Sequence, residues 1–336
     1  MKRNFTLFSI LIALLIIAFL CDIFVGNAHI SLHETWLALW GNSGDPIANE
    51  IIRNYRLPKA LTSILAGASL SVAGLLMQTL FRNPLAGPDV LGVSAGAGLG
   101  VALLTMLNGS FLYPIISTLG SMAQVIAAIA GAALTLLLIL FVSSRINDSI
   151  TILVLGMIFG YVASAAVTIL QSFADPDSLK VFVTWTFGNM SNVTWNKMPI
   201  MGGILIIGMT FTFFLQKSLN SLLLGEHYAS TIGLNIKLIR FELITLTAIM
   251  TGAITAFTGP IAFIGVVMPH FARVLFKTVN HRIILPATLI SGSVLMLICD
   301  ILSQIAVSNR TLPINAVTAL FGAPMILWIV LKRKRL

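Results

Sequence analysis

Charge is what this sequence has least of. Asp, Glu, Lys and Arg make up 9% of its 336 residues, where an average soluble domain carries about a quarter. With 57% of the chain hydrophobic, the remaining polar groups cannot cover a water-facing globule of this size. A soluble domain is excluded, and lipid is the solvent for most of the surface. Thiols are almost absent: Cys21 and Cys299 both fall in apolar runs, which excludes a disulfide framework or a cysteine metal centre. No Gly-x-x-x-x-Gly-Lys-Ser/Thr loop exists to cradle nucleotide phosphates, so ATP and Mg, if used, sit on another chain. There is no low-complexity tract and no separate soluble domain, and residues 1–336 read as a single transmembrane domain.

Acids inside apolar segments are few. Asp22, Glu242 and Asp300 each lie near a segment end, where pairing with a neighbouring helix explains them better than a relay. This scarcity argues against a proton- or sodium-coupled carrier, in which intramembrane acids mark the ion path. A membrane enzyme would need His, Asp or Glu clustered near one interface, and no such cluster occurs. His270 follows Pro269 with no second ligand at helical spacing, so no metal site is expected. Gly96-Ala97-Gly98-Leu99-Gly100 superficially suggests a dinucleotide loop. It follows no strand, and small-residue helix packing accounts for it.

What the sequence has is long apolar runs. A hydrocarbon core about 30 Å thick needs roughly 20 helical residues per crossing. Spans are expected at about 5–26, 58–80, 91–108, 118–141, 150–170, 199–216, 238–258, 261–276, 284–304 and 314–331. The eighth is interrupted by Gly259-Pro260 and Pro269. The first is longer than the about 7–15 apolar residues of a cleavable signal, so it reads as a permanent span.

An even number of spans puts both termini on one side. With that side inside, fourteen of the 20 Lys and Arg residues fall in inner segments and six in outer ones. This is the sense of the positive-inside rule, so both termini are expected in the cytoplasm. The net charge of +9 has the same origin and needs no nucleic-acid partner. Between the spans, Trp36, Leu37 and Trp40 at helical spacing suggest an amphipathic helix lying in the outer interface. A second is expected within about 171–198, and the inner loop of about 217–237 looks helical from Leu222 to Leu234.

Four segments carry a specific resemblance: RLPKALTSILAGASLSVAGLLMQ (56–78) with the adjoining RNPLAGPDVLGVSAGA (82–97), LLLGEHYASTIGL (222–234), GPIAFIGVVMPHFAR (259–273) and LPINAVTALFGAPMILWIVL (312–331). In this order the chain resembles the FecCD-type permeases of iron-siderophore, haem and cobalamin importers, from about residue 50 to its end. The resemblance implies an all-α integral membrane fold of about ten helices with inverted-repeat halves, the type II importer permease fold. It implies a transport subunit and not an enzyme, placed in a bacterial inner membrane and binding no cofactor itself. The implied partners are a second permease copy, two cytoplasmic ATPases and a periplasmic binding protein. The implied cargo is an iron complex, with cobalamin as the alternative and an ion-coupled secondary transporter as a distant one.

Residue roles follow from the same resemblance. The ATPase-coupling loop falls on Leu224, Gly225, Glu226, Ala229, Gly233 and Leu234. Glu226, Ala229 and Gly233, at spacings of three and four, are expected to share one helical face. The translocation path falls on Gly156, Met157, Gly160 and Tyr161 of the fifth span and Thr318, Gly322 and Met325 of the tenth. Arg56 matches an outer basic position that receives the binding protein. The second such position is Gln304 here, so Arg310 is expected to act in its place. Lys59 also stands where Arg is usual, and Asn315 where Gly commonly follows Leu-Pro-Ile.

Overall fold

The computed structural model describes residues 2–26, 28, 30–106, 119, 121–146, 148–304 and 311–333, and among these every regular element is a helix. In chain order they are α1 (Lys2–Phe24), α2 (Leu32–Leu39), α3 (Pro46–Glu50), α4 (Leu57–Leu80), α5 (Val93–Met106), α6 (Ser121–Arg145), α7 (Ser149–Phe173), α8 (Pro176–Thr186), α9 (Met198–Phe214), α10 (Gln216–Leu223), α11 (Glu226–Thr231), α12 (Ile236–Thr258), α13 (Ile264–Phe276), α14 (His281–Ser303) and α15 (Ile314–Arg333). Six segments are long and apolar enough to cross a membrane: α1, Pro46–Leu80 with α4, Met122–Arg145 in α6, α7, α12 and α14. The pair α9–α10, bent by 57°, makes a seventh, and α5, α13 and α15 are shorter apolar helices. Each of these helical segments overlaps one of the ranges that hydropathy marks as an expected span.

Helix α4 is the central post, buried along nearly its whole length. Lipid provides no hydrophobic drive between helices, so association depends on close packing of small residues. Gly67 and Gly74 supply that closeness. A Cβ on Gly67 would strike the Gly292 carbonyl of α14, and one on Gly74 the Gly265 carbonyl of α13.

The packing is reciprocal between the halves. Helix α4 lies against α13 and α14 of the second half, and α12 lies against α5 and α6 of the first. Each half also breaks its helix at the matching point. A 3-10 turn, Pro88–Leu91, ends at Gly92 with φ +69° before α5, and Gly259-Pro260 precedes Phe263 with φ +71° before α13. This is the swapped arrangement that inverted repeats produce.

Short helices form in both segments where the sequence suggests them. Ser31 and Glu34 make a reciprocal capping box at the start of α2, and Trp36 and Trp40 stack edge-on, 6.3 Å apart and exposed. The second is α8, capped by the Asp175 carboxylate and packed on α5.

Candidate functional site

Three regions hold the residues that the sequence singles out. The first lies at the end of the bundle where α10 and α11 project. Gly225, with φ +122°, opens α11, and Gly233, with φ +89°, closes it. The closure is a Schellman turn: the Leu234 amide donates to the Ala229 carbonyl at 3.1 Å, and only a residue tolerating positive φ fits between. The glycines therefore delimit a six-residue helix, which ends before Gly233. Glu226 and Ala229 turn inward and Gly233 does not continue their face. Ala229 is 0% exposed, so its small side chain serves packing within this chain. The groups α11 presents outward are His227, Tyr228, Ser230 and Thr231, continued by Ile232, with Leu224 exposed just before it.

Glu226 is the inward anchor of this helix. Its carboxylate accepts from Ser149 Oγ at 2.7 Å and stands 3.3 Å from the Arg240 guanidinium. Arg240, buried at the start of α12, also donates to the Ile146 carbonyl at 3.2 Å. One carboxylate thus ties α11 to the first turn of α7, to the corner after α6, and to α12. At the same corner Asp148 caps α7. The Thr151 hydroxyl and the Thr151 and Ile150 amides donate to it and hold its pKa below the usual carboxylate value. Ser149 and Arg240 were not singled out by sequence. The signal was present for Arg240 alone, as a guanidinium six residues after Leu234 at the mouth of an apolar span.

The second region is at the opposite end of the bundle. Arg56 is 5% exposed, and its guanidinium donates to the carbonyls of Ile23, Phe24 and Ala28 at 3.0, 3.1 and 2.7 Å. It closes the C-terminal turn of α1, where carbonyls lack helical partners, and it does not stand on an exposed rim. Lys59 lies buried beside it, 2.9 Å from Asp300 and 3.4 Å from Asp22. Gln304 donates to Asp22 Oδ1 at 2.9 Å and reaches Asp300 Oδ2 at 3.4 Å. The two intramembrane acids are therefore held by one lysine and one amide, joining α1, α4 and α14. This cluster bounds a cavity of about 340 Å³ whose other walls include Asn189, Ser191 and Thr311. Arg310 lies outside the described residues.

The third region is the faces of α7 and α15. A Cβ on Gly156 would stand 2.5 Å from the Val90 carbonyl, and Gly160 packs on Gly92. Gly322 seats the Phe263 side chain, where a Cβ would clash. These three glycines let α7 and α15 close on the two helix breaks. Phe263 itself occupies a γ-turn, with the Ile264 amide bonded to the Ala262 carbonyl at 2.9 Å, a strained conformation for a bulky residue. Asn315 steadies that turn by accepting from the Ala262 amide at 3.3 Å. The Thr318 hydroxyl is buried and donates to the Asn315 carbonyl. Of the seven residues, Tyr161 is open, at 74% exposed, while Met157 and Met325 are half-buried.

Among the described residues no group of three or more His, Cys, Asp or Glu is placed to hold a metal ion. The region at α11 offers a rigid projecting element, and that at α7 and α15 offers apolar faces.

Comparison with known proteins places these features in context. The model of the FecCD transport family matches residues 14–332. The hemin transport system permease HmuU of Yersinia pestis is 32% identical over 313 residues, 92% of each chain. The vitamin B12 import system permease BtuC of Shigella boydii is 32% identical over 334 residues, 99% of this chain and 97% of its own. Among solved structures, an inward-facing transporter described as of the metal-chelate ABC type superposes with a TM-score of 0.84 at 27% identity, covering 97% of this chain and 99% of that one.

Proposed function

The chain belongs to the FecCD transport family, and from that membership we propose that it carries an iron complex, a ferric siderophore or haem, into the cell. It is the permease of an ATP-binding-cassette importer and a multi-pass membrane protein, not a catalytic enzyme. The likeness to the hemin permease supports iron as cargo. The equal likeness to vitamin B12 permeases favours a corrinoid as the second reading.

The observation that carries the mechanism is the α11 anchor. An importer must pass force from a soluble ATPase to its membrane helices, and this needs a short rigid element with an outward face and an inward linkage. Leu224, Tyr228 and Ile232 supply the face, and Glu226 supplies the linkage through Ser149 and Arg240. In this reading two cytoplasmic ATPases bind ATP and Mg and dock at α11 of two permease copies. The exposed flanks of α7 and α15 meet across the pore, with Tyr161, Met157 and Met325 along its wall. Their apolar, unbranched or aromatic surface suits bulky cargo held without strong affinity. A periplasmic binding protein delivers at the end that carries Lys59, and both termini lie in the cytoplasm of a bacterial inner membrane. No bond is made or broken in the cargo; alternating access alone moves it.

The test is uptake in cells stripped of their own importers and supplied with this permease and its genomic neighbours. Accumulation of a labelled ferric siderophore or haem, dependent on ATP, is the expected result. Accumulation of cyanocobalamin alone selects the second reading. Uptake that stops when ion gradients collapse while ATP is held constant overturns the importer mechanism. Reporter fusions within residues 217–237 and near Asp45 test the orientation, cytoplasmic and periplasmic respectively.

A further inference from the structure

A groove of about 670 Å³ runs between α9 and α12 on the outside of the bundle. Its walls are apolar and include the side chains of Phe211, Phe214, Phe241 and Ile249, all exposed. Two polar groups interrupt them, Glu242 and Thr245, one helical turn apart on α12. Glu242 has no ion pair or hydrogen bond among the described residues. The Thr245 hydroxyl is buried and also has no hydrogen-bond partner.

An ionised carboxylate facing hydrocarbon is costly and is found paired or reaching the interface. Glu242 lies six residues into α12, about 9 Å along the helix from its start, at the end of the bundle that carries α11. Asp22 and Asp300 are compensated by Lys59, and Glu226 by Arg240. Glu242 has no such internal base among the described residues, which leaves it to a group from outside the chain. That group must be cationic, because the carboxylate is anionic. It must belong to an amphiphile, because the rest of the groove is apolar and opens to lipid. Lys217, just past Phe214, and Lys237, in the first turn of α12, are exposed at the same end, where a headgroup phosphate lies.

We propose that this groove is a binding site for an aminophospholipid such as phosphatidylethanolamine. One acyl chain lies along Phe211 and Ile249, and the primary ammonium donates to the Glu242 carboxylate. The site is independent of the cargo and of the ATPase contact.

The test uses the full chain purified in detergent and equilibrated with equal amounts of two lipids of identical acyl chains, phosphatidylethanolamine and its N-acetylated form. Native mass spectrometry then reads which lipid is retained. The expected result is a preference of about five-fold for the free amine, as one exposed ion pair provides. Glu242→Gln should reduce that ratio to about one while total retention persists. Ile249→Trp, which fills the groove away from the acid, should lose both lipids. Equal retention of the two lipids by the native chain, or an unchanged preference in Glu242→Gln, overturns the proposal. A photoreactive residue at position 211 provides an independent readout if a variant fails to fold. Cross-linking to lipid supports the site, and cross-linking to a second protein chain overturns it.

Discussion

The Ser149 hydroxyl donates a 2.7 Å hydrogen bond to the Glu226 carboxylate across 77 residues of sequence. It makes the first residue of α7 move with α11. Because Arg240 holds the same carboxylate, α11 is tied to both halves of the chain at one point, which is where the proposed mechanism applies its push. Hydrogen bonds to charged groups are worth about 1.5–3 kcal/mol, enough to keep such a joint closed while it transmits load.

Glu226→Ala should therefore uncouple the machine. Transport per ATP hydrolysed is expected to fall about tenfold or more, while the ATPase still co-purifies. Ser149→Ala should give a smaller drop in the same ratio, and Glu226→Gln, which keeps an acceptor for Ser149, an intermediate one. Transport and hydrolysis measured together in proteoliposomes check this. Equal losses in both rates would point to damaged folding.

The outward face of α11 gives a different phenotype. Tyr228→Glu with Ile232→Glu should abolish ATPase association and leave the permease folded, as read by pull-down and size-exclusion chromatography. Ala229→Asp should act on folding instead. It buries an acid in a site with 0% exposure, at a cost of several kcal/mol, and should lower the yield of folded protein.

At the other end, Arg56→Gln should destabilise the permease. It removes three hydrogen bonds to carbonyls at the end of α1, and a lowered melting temperature in detergent is the expected readout. Lys59→Met should cost more, about 3–5 kcal/mol, because it leaves Asp22 and Asp300 without their cation. Neither loss should depend on salt. Arg310→Glu is the contrasting case: slower association with the binding protein at low salt, with little change in stability.

Gly322→Leu should disturb α15 against the helix break before α13. The added side chain meets Phe263, which is already strained, and overpacking costs about 1–3 kcal/mol. Loss of transport with a lowered melting temperature is expected. Phe263→Gly, which relieves the positive φ, should partly rescue the double variant.

Asp148 sets an acid limit on the first turn of α7. Its pKa is lowered in the fold by hydrogen bonds from Thr151 and then by the α7 amides. Its stabilisation is therefore present above the unfolded value of about 3.9 and disappears as pH falls through the lower folded value. Amide exchange at Ile150 and Thr151 should accelerate only in that acid window, and Asp148→Asn should make it fast at neutral pH.

How much of this was legible beforehand depends on the range of the interaction. Hydropathy located the apolar helices, because apolar length is a property of each segment alone. Gly225 and Gly233 marked the ends of α11, because a Schellman turn is local. The broken helices before α5 and α13 announced themselves through Pro and Gly for the same reason. The residues whose surroundings were not legible are those held by a distant part of the chain. Arg56 reads as an outer cation, and only the fold brings α1 carbonyls onto its guanidinium. Ala229 reads as a small contact residue, and only the turn of α11 decides that it faces inward. Gly156, Gly160 and Gly322 read as pore lining, and tertiary packing sets them against the two helix breaks. Composition by itself determined the solvent, and the four motif segments carried the resemblance to the family. Which side of each helix meets lipid, which meets another helix, and which acid finds a base were decided by the packing of the two halves. Among the described residues the ion pairs join separate helices, and no local pattern encodes them.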